Sequence, residues 1–459
     1  ELNTYDLPKL VQRIQHYRIY SNSNYAIGNG FIDFLIGIQQ NIRREFTHPT
    51  LPSQAGMFMR LNTLNYSFRY NAPKFLNTEL TIGINGMLQN NKNLDATDFP
   101  IPDYKLYDGG AFIYAKWKYK KLTLSGGLRY DMRFVTWDDF YVRVNPNTGF
   151  SHQVTSSTNA SLQFASFNNT YNGLSGSFGG TIELTKNINL KANLGRAYRA
   201  PTITEIGSNG LDPGAHIIYL GNRNFKPEFS LQGDIGINLK NKIFILDANV
   251  FNNSIENYIY METIADVNGN PLLDNQGNRT LKYQQASAQL YGGEISLSYF
   301  PQKIKGFKIY NSTSIVYGYN RNLKYKNKGI QGEYLPLIPP TNFMSSISQE
   351  IILSNQPIIF VPKVELQFNA TQNRYLSLNG TETQTPAYTL INIGVTAELL
   401  RNKYNKFVFT FQVNNVFDIA YQSHLNRLKY FEYYTNSTTG YYGIFNMGRN
   451  FALRTIYTF

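Results

Sequence analysis

Apolar and polar residues alternate along this chain in runs of about ten, the length a tilted β-strand needs to cross a bilayer. In LTLSGGLRYDMRF, residues 122–134, Leu122, Leu124, Leu128, Tyr130, Met132 and Phe134 share one parity, and Thr123, Ser125, Arg129, Asp131 and Arg133 share the other. A period of two puts these sets on opposite faces of a strand. LTIGINGMLQ from Leu80, LKANLGR from Leu190 and FVFTFQVNN from Phe407 repeat the pattern. The chain ends on it as well: Phe451, Leu453, Thr455, Tyr457 and Phe459 alternate in NFALRTIYTF. A terminus in water is usually frayed, so this apolar face requires a cover to its last residue. No segment holds a 3.6-residue period over three turns, and no apolar run is long enough for a transmembrane helix. The expected fold class is all-β.

The connections sort by length. Short turns rich in Lys and Asn lie at 70–74, 119–121, 185–187, 239–242 and 401–405. Long polar, glycine-rich connections lie at 91–106, 137–170, 199–227, 263–280, 373–387 and 417–448. Short turns at one end and long loops at the other are the layout of a transmembrane antiparallel β-barrel, and only a closed barrel leaves no unpaired backbone in lipid. The expected location is therefore an outer membrane, in contact with its lipid and lipopolysaccharide. Aromatics make up 15 % of the 459 residues, with 35 Tyr and 31 Phe against 2 Trp, which suits interfacial girdles.

The strand count predicted from alternation is roughly 17. The first strand, near LVQRIQHYRIYS, leads into a short connection, SNSN, and the last follows a long loop, so both run the same way. A complete single-chain bacterial barrel has an even number of strands. The odd parity predicts strands before Glu1, and with them a barrel of the plugged class of about 22 strands. Residues 1–459 would then be a partial barrel domain, with the plug absent from the sequence.

Function classes narrow by composition. There is no Cys, which removes thiol chemistry and Cys-ligated metal sites. Five His are present without GxSxG, HExxH or a Walker loop, and no enzyme is expected. Asp138 and Asp139 beside Trp137 are paired carboxylates in a long connection, expected to be a solvated pair rather than an ion site. The net charge of +13 is spread along the chain instead of clustered, against nucleic-acid binding. His48, His216 and His424 fall in or beside long loops, and imidazole suits zinc, copper, nickel and haem iron.

Residues 195–228, GRAYRAPTITEIGSNGLDPGAHIIYLGNRNFKPE, resemble the mid-barrel signature of TonB-dependent outer-membrane receptors. The matching positions are Arg199, Ala200, Pro201, Glu205, Gly221, Asn222, Lys226, Pro227 and Glu228. NNVFD, with Asn414, Asn415, Phe417 and Asp418, RLKYF at 427–431 and the terminal strand with Tyr457 and Phe459 resemble the family's C-terminal part. NIRREFTHP at 41–49 is similar to a strand and loop about a third of the way into such barrels. The abundance of Asn, Lys and Tyr is similar to that of Bacteroidetes members. The resemblance implies a 22-strand Gram-negative barrel of which this chain is the later part, filled by an N-terminal plug and energised by the TonB complex. It also implies a scarce cargo, a ferric siderophore, another metal chelate or haem, with no intrinsic cofactor and no assigned metal site. His48, Asp212, His216, His424, Tyr433 and Tyr434 are the expected cargo-binding residues. The signature positions are expected to be structural, with Arg199 and Glu205 paired at the rim and Pro201 and Pro227 bounding a loop, because proline cannot donate to a ladder. Tyr457 and Phe459 would serve barrel assembly. Two other readings stay open: a passive porin, and a receptor-like barrel held in an envelope complex with a surface lipoprotein.

Overall fold

The computed structural model describes residues 9–322, 330–353, 357–400, 406–430 and 443–459. Among them twenty strands share one sheet and three more form a small one. The chain divides into two compact units: Glu1–Gly179 with Leu194–Leu231 and Ile255–Ser287, and Gly180–Asn193 with Gln232–Ser254 and Ala288–Phe459.

The first unit opens with a run of antiparallel hairpins: β1 Gln12–Ile27, β2 Gly30–Glu45, β3 Met57–Asn71, β4 Thr78–Asn93, β5 Tyr104–Tyr119 and β6 Leu122–Trp137. The two-residue turns need left-handed backbone. Gly28 (φ 57°), Asn77 (φ 64°) and Lys120 (φ 50°) supply it. SNSN is not a connection: Ser21 to Asn24 lie inside β1, opposite Ile36 to Asp33, and the chain reverses at 28–29. Asn24 donates to Asp33 across the pair (2.8 Å), so short polar residues serve the ladder's polar face rather than a turn.

Alternation sets the faces. Asp108, Arg129, Asp131 and Arg133 meet on one face of β5–β6. Leu128, Tyr130 and Met132 stand half exposed on the other, with relative accessibilities of 59 %, 51 % and 49 %. The apolar core lies at the long-loop end instead. Phe99, Trp137, Phe140, Phe164, Ile206 and Phe225 are buried together there. The connection 137–170 is thus no plain polar loop: β7 Phe140–Val144, β8 Ser151–Val154 and β9 Ser161–Phe164 form the small sheet, in the order β8-β7-β9. Trp137 anchors it, stacked on Phe167 (4.5 Å between centroids) and donating Nε1–H to the Ala165 carbonyl (2.9 Å).

The strands β10 Phe167–Thr185, β11 Ile188–Arg199, β14 Glu228–Lys240, β15 Phe244–Thr263 and β16 Arg279–Tyr299 give residues to both units. The loop 199–227 between β11 and β14 holds a one-turn helix, α1 Ile203–Gly207, then the hairpin β12 Asn209–Asp212 and β13 Ile217–Leu220. Strand β13 lies parallel on the start of β16, with Ile217 opposite Arg279.

The second unit continues with β17 Phe307–Asn320, α2 Ile330–Glu333, β18 Asn342–Gln349, β19 Ile351–Ile352, β20 Ile358–Asn369, β21 Tyr388–Leu400, β22 Lys406–Asn414 and β23 Asn450–Thr458. Of the twenty strands in the large sheet, β12, β13 and β19 are short, and the other seventeen are the long ones among the described residues. The terminal strand pairs with β22 from Asn414↔Asn450 to Lys406↔Thr458. Its large residues stack along one face: Phe407 on Tyr457 (4.5 Å) and Tyr457 on Phe459 (5.8 Å).

Candidate functional site

Three clusters at or near the long-loop ends hold the polar chemistry. The first lies on the polar face of the first unit, around a cavity of about 520 Å³. Arg133 forks onto Asp108 with two bonds of 2.7 Å and reaches the Pro201 carbonyl through Nη1 (3.2 Å). Arg129 grips Asp131 through Nε (2.8 Å to each oxygen) and donates to Asn85 Oδ1 (2.5 Å). Planar guanidinium forks against carboxylates fix direction as well as charge. Arg129 and Arg133 share one parity of β6, so the strand itself aims both into the cavity.

Arg199, at the end of β11, tops this wall. Its Nε and Nη2 bind Glu228 at 2.5 Å each, and Nη1 binds Glu205 at 2.9 Å and 3.0 Å. Glu205 also caps α1: its Oε2 accepts the Thr202 N–H (2.7 Å), while the Thr202 hydroxyl accepts the Glu205 N–H (3.4 Å). That capping box is visible in the sequence as TITE, Thr202 to Glu205. Glu228 Oε1 further accepts the Ile259 N–H (2.6 Å), a partner no local motif announces. The rest of the signature closes the loop. Asn222 donates its N–H to the Glu205 carbonyl (2.9 Å) and Gly221 to that of Ser208 (2.7 Å). Gln285 bonds both backbone groups of Lys226, and Asn257 donates to the Pro227 carbonyl (3.0 Å). Ala200 is buried in the apolar core. In the second unit Asn415 bonds Ile419 at both ends of its amide (2.8 Å and 2.9 Å), and Asp418 accepts the Arg449 N–H (2.7 Å), so NNVFD is a turn lock. Asn414 bonds Asn450 across β22–β23 (2.9 Å), while Phe417 stands exposed.

The second cluster surrounds His48, just beyond β2. Its ring stacks on Phe150 at 4.2 Å, and Nε2 lies 2.6 Å from Thr97 Oγ1 and 3.8 Å from Asp98 Oδ2. Burial raises the Asp98 carboxyl above its usual range, against the hydroxyl of Thr97 and the nearby imidazole. Asp212 accepts the N–H of Gly214 and of Ala215 (3.1 Å each), closing a turn that brings Gly214 beside the buried carboxylate of Glu45. His216 ends this turn with a left-handed backbone (φ 54°) and is exposed. His48 and the 212–216 turn thus reach the same end of the first unit, since Glu45 closes the strand that leads to His48.

The third cluster belongs to the second unit and changes the expectation for His424. Its side chain has no accessible surface, so it presents nothing to a cargo in this structure. Thr385 (2.8 Å), Glu382 (3.6 Å) and Lys429 surround it instead. Tyr433 and Tyr434 lie outside the described residues. Among the described residues, no group of three or more His, Asp or Glu is arranged to hold a metal ion.

Known proteins place this architecture. A family model described as TonB dependent receptor-like, beta-barrel matches residues 3–416. The structure resembles the copper transporter OprC with a TM-score of 0.72 at 18 % identity, over 97 % of this chain and 66 % of that one. It resembles the ferric yersiniabactin uptake receptor FyuA from Yersinia pestis with a TM-score of 0.63 at 14 % identity, over 98 % of this chain and 62 % of that one. The ferric-catecholate import receptor Fiu from K12 E. coli gives 0.65 at 14 % identity, over 99 % and 65 %. At these identities the likeness speaks to fold, and the chain spans less than two thirds of the length of these proteins. The family model covers nearly the whole sequence, and the long antiparallel strands among the described residues fit it: the chain belongs to the TonB-dependent receptor-like β-barrel family.

Proposed function

We propose that the protein works in the outer membrane of a Gram-negative bacterium as a receptor that imports a scarce nutrient with TonB-supplied energy. The cargo class is a metal chelate, foremost a ferric siderophore, or haem. The observation that carries this reading is the family match over residues 3–416 on a sheet with one apolar and one polar face. An apolar face of that extent is stable against lipid and costly against water. Arg129, Arg133 and Arg199 line or border one polar cavity, each paired with carboxylates, so its wall offers hydrogen bonds rather than net positive charge to a cargo. In this reading His48, with its aromatic stack, and His216 offer imidazoles to cargo at the loops. A plug and the TonB complex are the partners this reading requires.

The test is uptake of iron-55 as ferric siderophore or haem into cells with and without the receptor gene, each with and without TonB. Loss of uptake in both single deletions is the expected result. Uptake that needs the receptor but not TonB would mean a passive channel. Unchanged uptake of every metal complex in the receptor deletion would reject import of this cargo class.

A further inference from the structure

Lys429, His424, Glu382 and Thr385 are 6 %, 2 %, 4 % and 1 % exposed, an unusual burial of three ionisable groups around one hydroxyl at the loop end of the second unit. The arrangement is directional. Lys429 Nζ donates to the carbonyls of Thr383 (2.8 Å) and Gln384 (2.9 Å) and to Thr385 Oγ1 (2.6 Å). An ammonium can only donate, so the Thr385 hydroxyl accepts there and sends its own proton to His424 Nδ1, 2.8 Å away. His424 Nδ1 must then carry a lone pair, and the ring hydrogen sits on Nε2. Nε2 has no hydrogen-bond partner among the described residues and faces Glu382 Oε1 at 3.6 Å. Glu382 spends its oxygens on the N–H groups of Leu337 (2.8 Å) and Leu376 (3.0 Å). The node thus ties together the segments 335–338, 372–385 and 424–430, which Gln372 to the Ile338 carbonyl (2.7 Å) and the Thr383 N–H to the Tyr430 hydroxyl (3.3 Å) reinforce.

We infer that this node is a proton-released latch: a proton on His424 Nδ1 removes the acceptor of the Thr385 hydroxyl, sets a second cation beside Lys429, and parts the two loops. Among the described residues, the charged groups facing His424 are Glu382 on one loop and Lys429 on its own, and the Tyr430 hydroxyl lies beside Lys429 Nζ (3.5 Å). The 335–338 segment offers backbone and apolar side chains alone. Burial, helped by the Lys429 charge, pushes the imidazole down to about 4, against 6.5 for a free ring. The open loop therefore binds the proton more tightly, and the closed latch weakens as pH falls from 6.5 towards 4. Glu382 works in the opposite sense, because burial raises its carboxyl and favours the closed form on acidification. The latch is independent of what the receptor imports.

Hydrogen exchange read by mass spectrometry at pH 7.5 and 5.0 tests it, on protein purified from outer membranes and with rates corrected for intrinsic exchange. Peptides over 372–385 and 424–430 report the latch, and those over β21 and β22 are internal standards. The titration of His424 alone predicts a rise in loop opening of about thirty-fold over this interval. His424→Gln, which accepts a hydrogen bond but does not titrate here, should remove that factor, and Glu382→Gln should steepen the wild-type response. Equal pH ratios in wild type and His424→Gln overturn the latch. If standards show that His424→Gln does not assemble, equal pH ratios in wild type and His424→Asn overturn it instead. Both outcomes are read without transport, so they are separable from failure of the import proposal.

Discussion

Glu205 does two things at one turn: it caps α1 and it holds Arg199. Glu205→Gln keeps a capping side chain and loses the charge, whereas Glu205→Ala loses both. We expect the alanine variant to cost about 1 kcal/mol more than the glutamine variant, the share of the capping side chain alone. Limited proteolysis of the 199–227 loop would show it as faster cleavage. Asp98 carries a different signature. Its carboxyl is raised by burial, so its contribution to stability is present at low pH and lost as pH rises through the folded value. Asp98→Asn should therefore match or exceed wild type in thermal stability at pH 8, with the advantage gone at pH 4. A lower melting temperature at pH 8 would mean that the charged form is needed. The Arg199–Glu205 pair was legible in the sequence, because six residues of loop with a proline bring such partners to one rim. The fate of His424 was not, since burial depends on chain returning from elsewhere.

The strands were legible as elements because each face answers to a different surrounding and the pleat forces alternation. Leu128 and Arg129 are adjacent in sequence and opposite in consequence. Leu128→Arg puts a charge on the apolar face, where such a change costs about 2–4 kcal/mol at the depth of a bilayer midplane. The folded, heat-modifiable fraction in outer membranes should fall, while the exposed-turn change Lys186→Glu should leave it unaltered. The signature loop adds a steric test. A Cβ on Gly221 would lie 2.8 Å from the Ile206 carbonyl carbon and 2.9 Å from the Ser208 nitrogen, both backbone atoms that cannot swing away. Gly221→Val should therefore release α1 from the hairpin that follows, visible as raised exchange over 203–220. What the alternation did not reveal were the short elements within loops: β7 to β9 and β12 to β13 are four or five residues long, too few for a period to register.

At the scale of the molecule, each unit exposes large apolar residues, Leu128, Phe178 and Leu231 in the first and Ile235 and Leu453 in the second, and such surface is costly in water. The protein should sediment with outer membranes, resist carbonate washing and dissolve only in detergent; recovery in the soluble fraction would undo the membrane reading. The sequence by itself determined the all-β class, the two faces and the family, because period and signature spacing are local properties of a chain. The tertiary structure alone decided which polar groups meet: Glu228 with both Arg199 and the Ile259 backbone, His48 with Thr97 and Phe150, and the closed set of Glu382, His424, Thr385 and Lys429. Those contacts join residues tens of positions apart, and no local rule carries the distance between loop tips until strand register and length have placed them.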